Sequence, residues 1–137
     1  MVTLIKNQKI MDKKYKILVI DDKKLSRGPI VSELKSNNFE IIEAEDGEVG
    51  IMSSFYDHPD LILLDIVMPK IDGVGVMEKL RNDPWGKNVP LIILTSEDTS
   101  EKLLKAIEEF SPVFYLIKDK VDPAFIVKKV KEALNLF

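Results

Sequence analysis

Five short apolar runs separated by longer amphipathic stretches predict an α/β protein, a three-layer α/β/α sandwich built on a five-stranded parallel sheet. The runs lack the apolar–polar alternation of a half-exposed strand, so both faces of the sheet must be covered. The intervening stretches are long enough for helices that return the chain by right-handed crossovers. Nearly every run also ends in a polar residue, and ligands bind beyond the carboxyl ends of the strands in such a sheet.

The elements follow in order. Residues 1–13 read as a tail and residues 14–137 as the single domain; Met11, opening MDKKYKILVI, suggests that residues 1–10 are an addition or an upstream start. The first strand is KILVI at 16–20. A helix is expected at 24–35, but Gly28-Pro29 falls within its first two turns. Pro29 has no N–H for the carbonyl of Leu25, which predicts a kink or a late start. The second strand is FEII at 39–42, followed by a helix opened by Asp46-Gly47 and running to about Tyr56.

LILL at 61–64 is the third strand, and Asp72-Gly73 opens a helix to about Arg81. LIIL at 91–94 is the fourth, and Asp98 with Glu101 forms a capping pair for a helix ending near Phe110. FYLI at 114–117 is the fifth. Asp122-Pro123 then places a capping acid before a proline at the first helical position, where a missing N–H costs nothing, and the last helix is expected to run nearly to Phe137.

Composition narrows the function. With 137 residues the chain suits one core. A net charge of −3, from 20 basic and 23 acidic residues, offers no general attraction to nucleic acid or anionic membrane. The absence of cysteine excludes disulfides, thiolate metal sites and cysteine nucleophiles. His58 is the one histidine, so no multi-histidine metal site exists. No apolar run approaches the roughly 20 residues that cross a bilayer, and the first ten residues do not read as a secretory signal; a cytoplasmic location is expected.

The chemistry gathers at the strand ends. The first run ends in Asp21-Asp22, the third in Asp65, the fourth in Thr95-Ser96 and the fifth in Lys118. Any one of these alone is a helix cap or a strand-end polar residue. Together, three converging aspartates repel, and protonating them would demand strongly raised pKa values. A hard divalent cation solves this more cheaply, and Mg²⁺ suits a site of carboxylates, a carbonyl and waters. A carboxylate nucleophile, a hydroxyl, an ammonium and Mg²⁺ together suit phosphoryl transfer.

The runs KILVIDD, DLILLDIVMPKIDG, LIILTS and FYLIK, in this order and spacing, resemble the response-regulator receiver family, and the resemblance covers about residues 14–137. It implies the strand order 2-1-3-4-5. It implies Asp65 as phosphoacceptor, Asp21 and Asp22 as acidic ligands of Mg²⁺ with the Asp65 carboxylate and the Val67 carbonyl, Thr95 as the phosphoryl hydrogen-bond donor and Lys118 as its ion-pair partner. Tyr115 matches the aromatic position that moves inward on phosphorylation. A histidine kinase or histidine phosphotransfer protein would be the donor. A downstream effector would read the fourth helix, fifth strand and last helix, with the chain a monomer or a phosphorylation-dependent dimer. The domain would catalyse only its own phosphorylation and dephosphorylation.

Two features depart from the family pattern, the Gly28-Pro29 pair in the first helix, close enough to Asp22 to perturb the acidic pocket, and Asp119. Asp119 follows Lys118 where the family usually has a cis proline, and a non-proline cis bond would cost roughly 2.5–4 kcal/mol, so the peptide is expected to be trans or strained. Val67 and Glu97 stand at positions that in the family influence dephosphorylation by controlling water access, and an apolar Val67 then predicts a moderately long-lived phosphoryl state. Other classes fit the residues less well. A haloacid-dehalogenase-type phosphatase would need a second acid two residues after its nucleophile, where Val67 stands; a nucleotide-binding flavodoxin-like module would need a glycine-rich loop where DDKKLSRGP stands. A degenerate receiver would lack some of the five key side chains, all of which are present.

Overall fold

The computed structural model describes residues 13–96 and 100–136. Five strands and five helices alternate: β1 (Lys16–Ile20), α1 (Lys24–Ser36), β2 (Glu40–Ala44), α2 (Gly47–Asp57), β3 (Leu61–Asp65), α3 (Gly73–Arg81), β4 (Leu91–Thr95), α4 (Glu101–Phe110), β5 (Phe114–Ile117) and α5 (Pro123–Ala133). A 3₁₀ turn at Lys118–Lys120 joins β5 to α5. All strand pairs are parallel, in the order β2-β1-β3-β4-β5. Because every strand runs the same way, all carboxyl ends share one edge.

Alternate residues of each strand feed two cores. Ile17, Val19, Leu61, Leu63, Ile92 and Leu94 pack under α1 and α5, against Ile30, Leu34, Ile126 and Val130. Leu18, Ile20, Ile62, Leu64, Leu91 and Ile93 point to the opposite face, against Val76, Met77 and Leu80 of α3 and Leu103 of α4. The unbroken apolar runs reflect this double coverage, which is complete for β3 and β4. β2 and β5 are the edge strands and are only partly buried. Accordingly β2 begins one residue later and extends further than the apolar run alone indicates, with exposed Glu40 and Glu43 inside it and Phe39 buried just before it.

The helix ends follow capping chemistry. Asp46 accepts from the Val49 N–H at 2.8 Å, Asp72 from Gly75 at 2.9 Å and Asp122 from Phe125 at 2.8 Å. The expected cap Asp98 lies outside the described residues; Ser100 caps α4 through the Leu103 N–H at 3.2 Å. The tail expected at 1–13 likewise falls outside them except for Lys13, which pairs with Asp60 at 3.7 Å. α5 stops at Ala133, short of the expected end near Phe137. Asn135 takes a left-handed conformation (φ 58°), and the Asn135 and Leu136 N–H groups donate back to the carbonyls of Glu132 and Lys131, closing the helix. Asn38 ends α1 by the same device.

α1 does not start late. The Arg27 N–H donates to the Lys23 carbonyl at 2.9 Å, and the helix runs from Lys24 through Pro29 to Ser36. Proline is tolerated because this face is solvated: Pro29 is exposed and Leu25 is 93% exposed, so water can reach the carbonyl that lost its donor. Gly28 is also exposed, with nothing within 4 Å of where a Cβ would stand. Gly28→Ala is therefore expected to raise stability by about 0.5–1 kcal/mol and Pro29→Ala by up to about 3 kcal/mol, measured by urea denaturation. Unchanged or lowered midpoints in both would mean that the pair serves the native helix geometry.

Candidate functional site

The parallel register decides which side chains meet. Ile20 pairs with Leu64 and Asp65 with Leu94, so the residue after β1 and the last residues of β3 and β4 lie side by side. Asp21, Asp22 and Asp65 offer carboxylate oxygens that all lie within 4.8 Å of one another. The Lys118 Nζ, arriving from the end of β5, donates to Asp21 Oδ2 at 2.8 Å and to Asp65 Oδ2 at 3.3 Å. Asp21, Asp65 and Thr95 are buried, and Asp22 is partly buried. Among the described residues, Thr95 Oγ1 and Asp22 Oδ1 are buried side-chain atoms with no hydrogen-bond partner.

The surrounding loops are built to hold these groups. The Lys23 N–H donates to Asp21 Oδ1 at 3.0 Å, and the Gly73 N–H donates to the Ile66 carbonyl at 2.8 Å, folding the segment after β3 over the strand end. Gly73 allows that approach, because a Cβ there would overlap the Asp65 carbonyl. Within the same segment Lys70 has φ 65° and its ammonium reaches Asp46 at 3.4 Å, tying the segment to the start of α2. Val67 stands at the rim, 54% exposed. Tyr115 lies half-buried on β5 against the core under α2, α3 and α4. The Lys118–Asp119 peptide is trans, as are all those described.

The two buried carboxylates are driven apart electrostatically. Burial pushes Asp65 above the usual carboxylate range; Lys118 opposes this and the neighbouring Asp21 adds to it. Asp21 also suffers burial, but hydrogen bonds from Lys118, the Lys23 N–H and Ser26 outweigh it and hold its carboxyl below the usual range. Asp65 is thus the less satisfied of the pair.

Around this cluster of hard oxygen donors and one ammonium at the carboxyl edge of a 2-1-3-4-5 sheet, residues 17–131 match the response regulator receiver domain. This chain belongs to that family. It is a receiver domain of two-component signalling. It is 40% identical over 91 residues to the probable transcriptional regulator ycf27 of Porphyridium aerugineum, which covers 66% of this chain and 37% of the relative. The chain thus spans roughly a third of the length of that curated relative. CheY4 of Vibrio cholerae has the same fold, with a TM-score of 0.80 at 23% identity over 88% of this chain and 99% of that one. The CheX–CheY–BeF3–Mg²⁺ complex from Borrelia burgdorferi matches with a TM-score of 0.76 at 25% identity over 88% and 89% of the two chains.

Of the residues singled out from sequence, Asp21, Asp22, Asp65 and Lys118 meet directly, and Thr95 ends the strand beside Asp65. Val67 stands two residues past the end of β3, Tyr115 sits on β5 opposite Ile93 in the middle of β4, and Glu97 lies outside the described residues. Sequence reasoning missed Arg27 and Ser26, which reach back from α1 to Asp21, and Lys70, which braces the segment after β3. For Arg27 the available signal was a long cation placed one helical turn beyond an acidic strand end.

The opposed shifts have opposite consequences for folding. Asp21, with its lowered pKa, contributes stability that is present above the unfolded carboxylate pKa and is lost as pH falls through the folded value. Asp65, with its raised pKa, costs stability progressively as pH rises from the unfolded value through the folded one. Without Mg²⁺, Asp65→Asn is therefore expected to melt above wild type at pH 7, and the gain should vanish below the ordinary range near pH 4. Calorimetry across that range checks it; a lower neutral-pH midpoint for the variant would contradict the assigned direction.

Proposed function

We propose that Asp65 accepts a phosphoryl group from a histidine kinase or histidine phosphotransfer protein, with Mg²⁺ held by Asp21, Asp22, Asp65 and the Val67 carbonyl. The observation that carries this reading is the Lys118 ammonium bonded to both Asp21 and Asp65 inside a triad of carboxylates. The donor set is all hard oxygen, as Mg²⁺ prefers, and the unpartnered Asp22 Oδ1 suits a cation. When bound, Mg²⁺ supplies neutralisation of the carboxylates and of the phosphoryl oxygens. The Borrelia complex, which contains BeF3 and Mg²⁺, supports a role for Mg²⁺ in a chain of this fold.

The chain's own residues divide the rest of the work. A carboxylate oxygen of Asp65 forms the bond to phosphorus as the phosphorus–nitrogen bond of the donor's phosphohistidine breaks, with the electron pair leaving on the imidazole nitrogen. Lys118 opposes the effect of burial on Asp65 and would then face a phosphoryl oxygen. Thr95 Oγ1, buried without a partner, is available to donate a hydrogen bond to the added group. Drawing Thr95 and Lys118 toward roughly −1.5 to −2 units of new charge biases α4 and β5, with Tyr115 moving inward.

A downstream effector protein would then read α4, β5 and α5. The chain acts in the cytoplasm as a monomer or a phosphorylation-dependent dimer, without direct nucleic-acid or membrane contact, and catalyses only its own phosphorylation and dephosphorylation. No helix among the described residues is long and apolar enough to cross a membrane. A phosphatase of the haloacid-dehalogenase type is disfavoured because Val67 cannot serve as a general acid.

With acetyl phosphate and Mg²⁺, intact-mass analysis is expected to show one added phosphoryl group on wild type and none on Asp65→Asn. A wild type that gains nothing, and whose amide spectrum ignores beryllofluoride, would sink the reading. Val67→Asn is expected to shorten the phosphoryl lifetime by on the order of tenfold, since an amide at this exposed rim can orient the attacking water. An unchanged rate of phosphoryl loss would remove Val67 from lifetime control.

A further inference from the structure

Arg27 occupies the first turn of α1, and its side chain is only 11% exposed. An arginine is seldom this buried unless its donors are used. Here two of them are used: Nε donates to Glu43 Oε1 on β2 at 2.8 Å, and Nη1 donates to the main-chain carbonyl of Asp21. The same residue 21 is held from the other side, its N–H donating to the Ala44 carbonyl at 3.1 Å and its Oδ1 accepting from the Lys23 N–H at 3.0 Å. The planar guanidinium thus spans the carboxyl ends of β1 and β2 and fixes the peptide plane between Asp21 and Asp22.

That plane matters because little else holds Asp22. Its Oδ1 has no hydrogen-bond partner, and Lys23, 3.6 Å away, is an exposed lysine. The direction in which Asp22 presents its carboxylate is therefore set by the backbone it stands on. We infer that Arg27 is a positioning residue for the Mg²⁺ site, holding the turn from Asp21 to Lys23 so that the Asp22 carboxylate faces Asp21 and Asp65. The inference rests on the proposed use of this triad as a metal site. Arg27 contacts neither substrate nor metal, so its effect is transmitted through one main-chain carbonyl.

Charge and position make opposite predictions. A cation beside the site disfavours Mg²⁺, so if Arg27 acted by charge alone, removing it would tighten binding. If it acts by position, removing it loosens binding. Lysine keeps the charge but lacks the planar fork that reaches Glu43 and the Asp21 carbonyl together.

Mg²⁺ titrations by calorimetry on wild type, Arg27→Met and Arg27→Lys, below the melting temperature of each, separate the cases. Both variants are expected to bind about tenfold more weakly than wild type, as for other residues that orient metal ligands. Val31→Ala, a core truncation on the same helix, is expected to lose stability and keep wild-type affinity. Equal or tighter binding in Arg27→Met, full affinity in Arg27→Lys, or an equal loss in Val31→Ala would each overturn the positioning role. Should Arg27→Met fail to fold, Arg27→Lys carries the comparison. Absence of Mg²⁺ binding by wild type would overturn the metal site itself and this inference with it, whereas normal wild-type binding with unaffected variants would overturn the inference alone.

Discussion

Three carboxylates within 4.8 Å of one another, at the edge of a sheet with an apolar core on each face, are the arrangement around which the site is organised. Two like charges about 4 Å apart repel by about 4 kcal/mol at an effective dielectric near 20, and one Lys118 ammonium cannot balance three aspartates. The imbalance falls on Asp65, raised by burial and by Asp21, while Asp21 keeps the better share of hydrogen bonds. A protein that keeps such a cluster trades stability for reactivity. The unrelieved charge creates the demand for a cation, and an incoming phosphoryl group would recruit Lys118 from its bonds to the aspartates.

Holding that cluster requires rigid backbone on every side. The residues after β1 are pinned by Ala44, Lys23 and Arg27; the segment after β3 is pinned by Gly73 against Ile66 and by Lys70 against Asp46. Lys102 of α4 pairs with Asp72, the cap of α3, at 3.1 Å, so the helix proposed to respond to phosphorylation is tied to the loop that carries the chemistry. The Lys70 and Lys102 pairs use exposed lysines, each worth little alone.

Much of this was legible in the chain because two physical signals are local. A strand buried on both faces must be apolar at nearly every position, which made β1, β3 and β4 visible as apolar runs; β5, although an edge strand, showed as FYLI with the bounds observed, whereas edge strand β2 carries Glu40 and Glu43 and had less certain ends. Capping acids at Asp46, Asp72 and Asp122 announced three helix starts. The fourth helix is capped by Ser100, a choice that depends on how the loop after β4 folds. The end of α5 turned on Asn135 adopting a left-handed conformation, which an asparagine permits but does not announce.

By itself the sequence determined the fold class, the order of the elements and the presence of Asp21, Asp22, Asp65, Thr95 and Lys118 at strand ends, since strand burial and strand termination are written in consecutive residues. Only the tertiary structure decided which of them share an atom-to-atom contact: that Lys118 bridges Asp21 and Asp65, that Thr95 Oγ1 is left without a partner, and that Arg27 reaches back to the Asp21 carbonyl. Lys118 and Asp21 are 97 positions apart in the chain. Their contact depends on the lateral order of parallel strands and on the register between them, which arise from packing of the whole sheet.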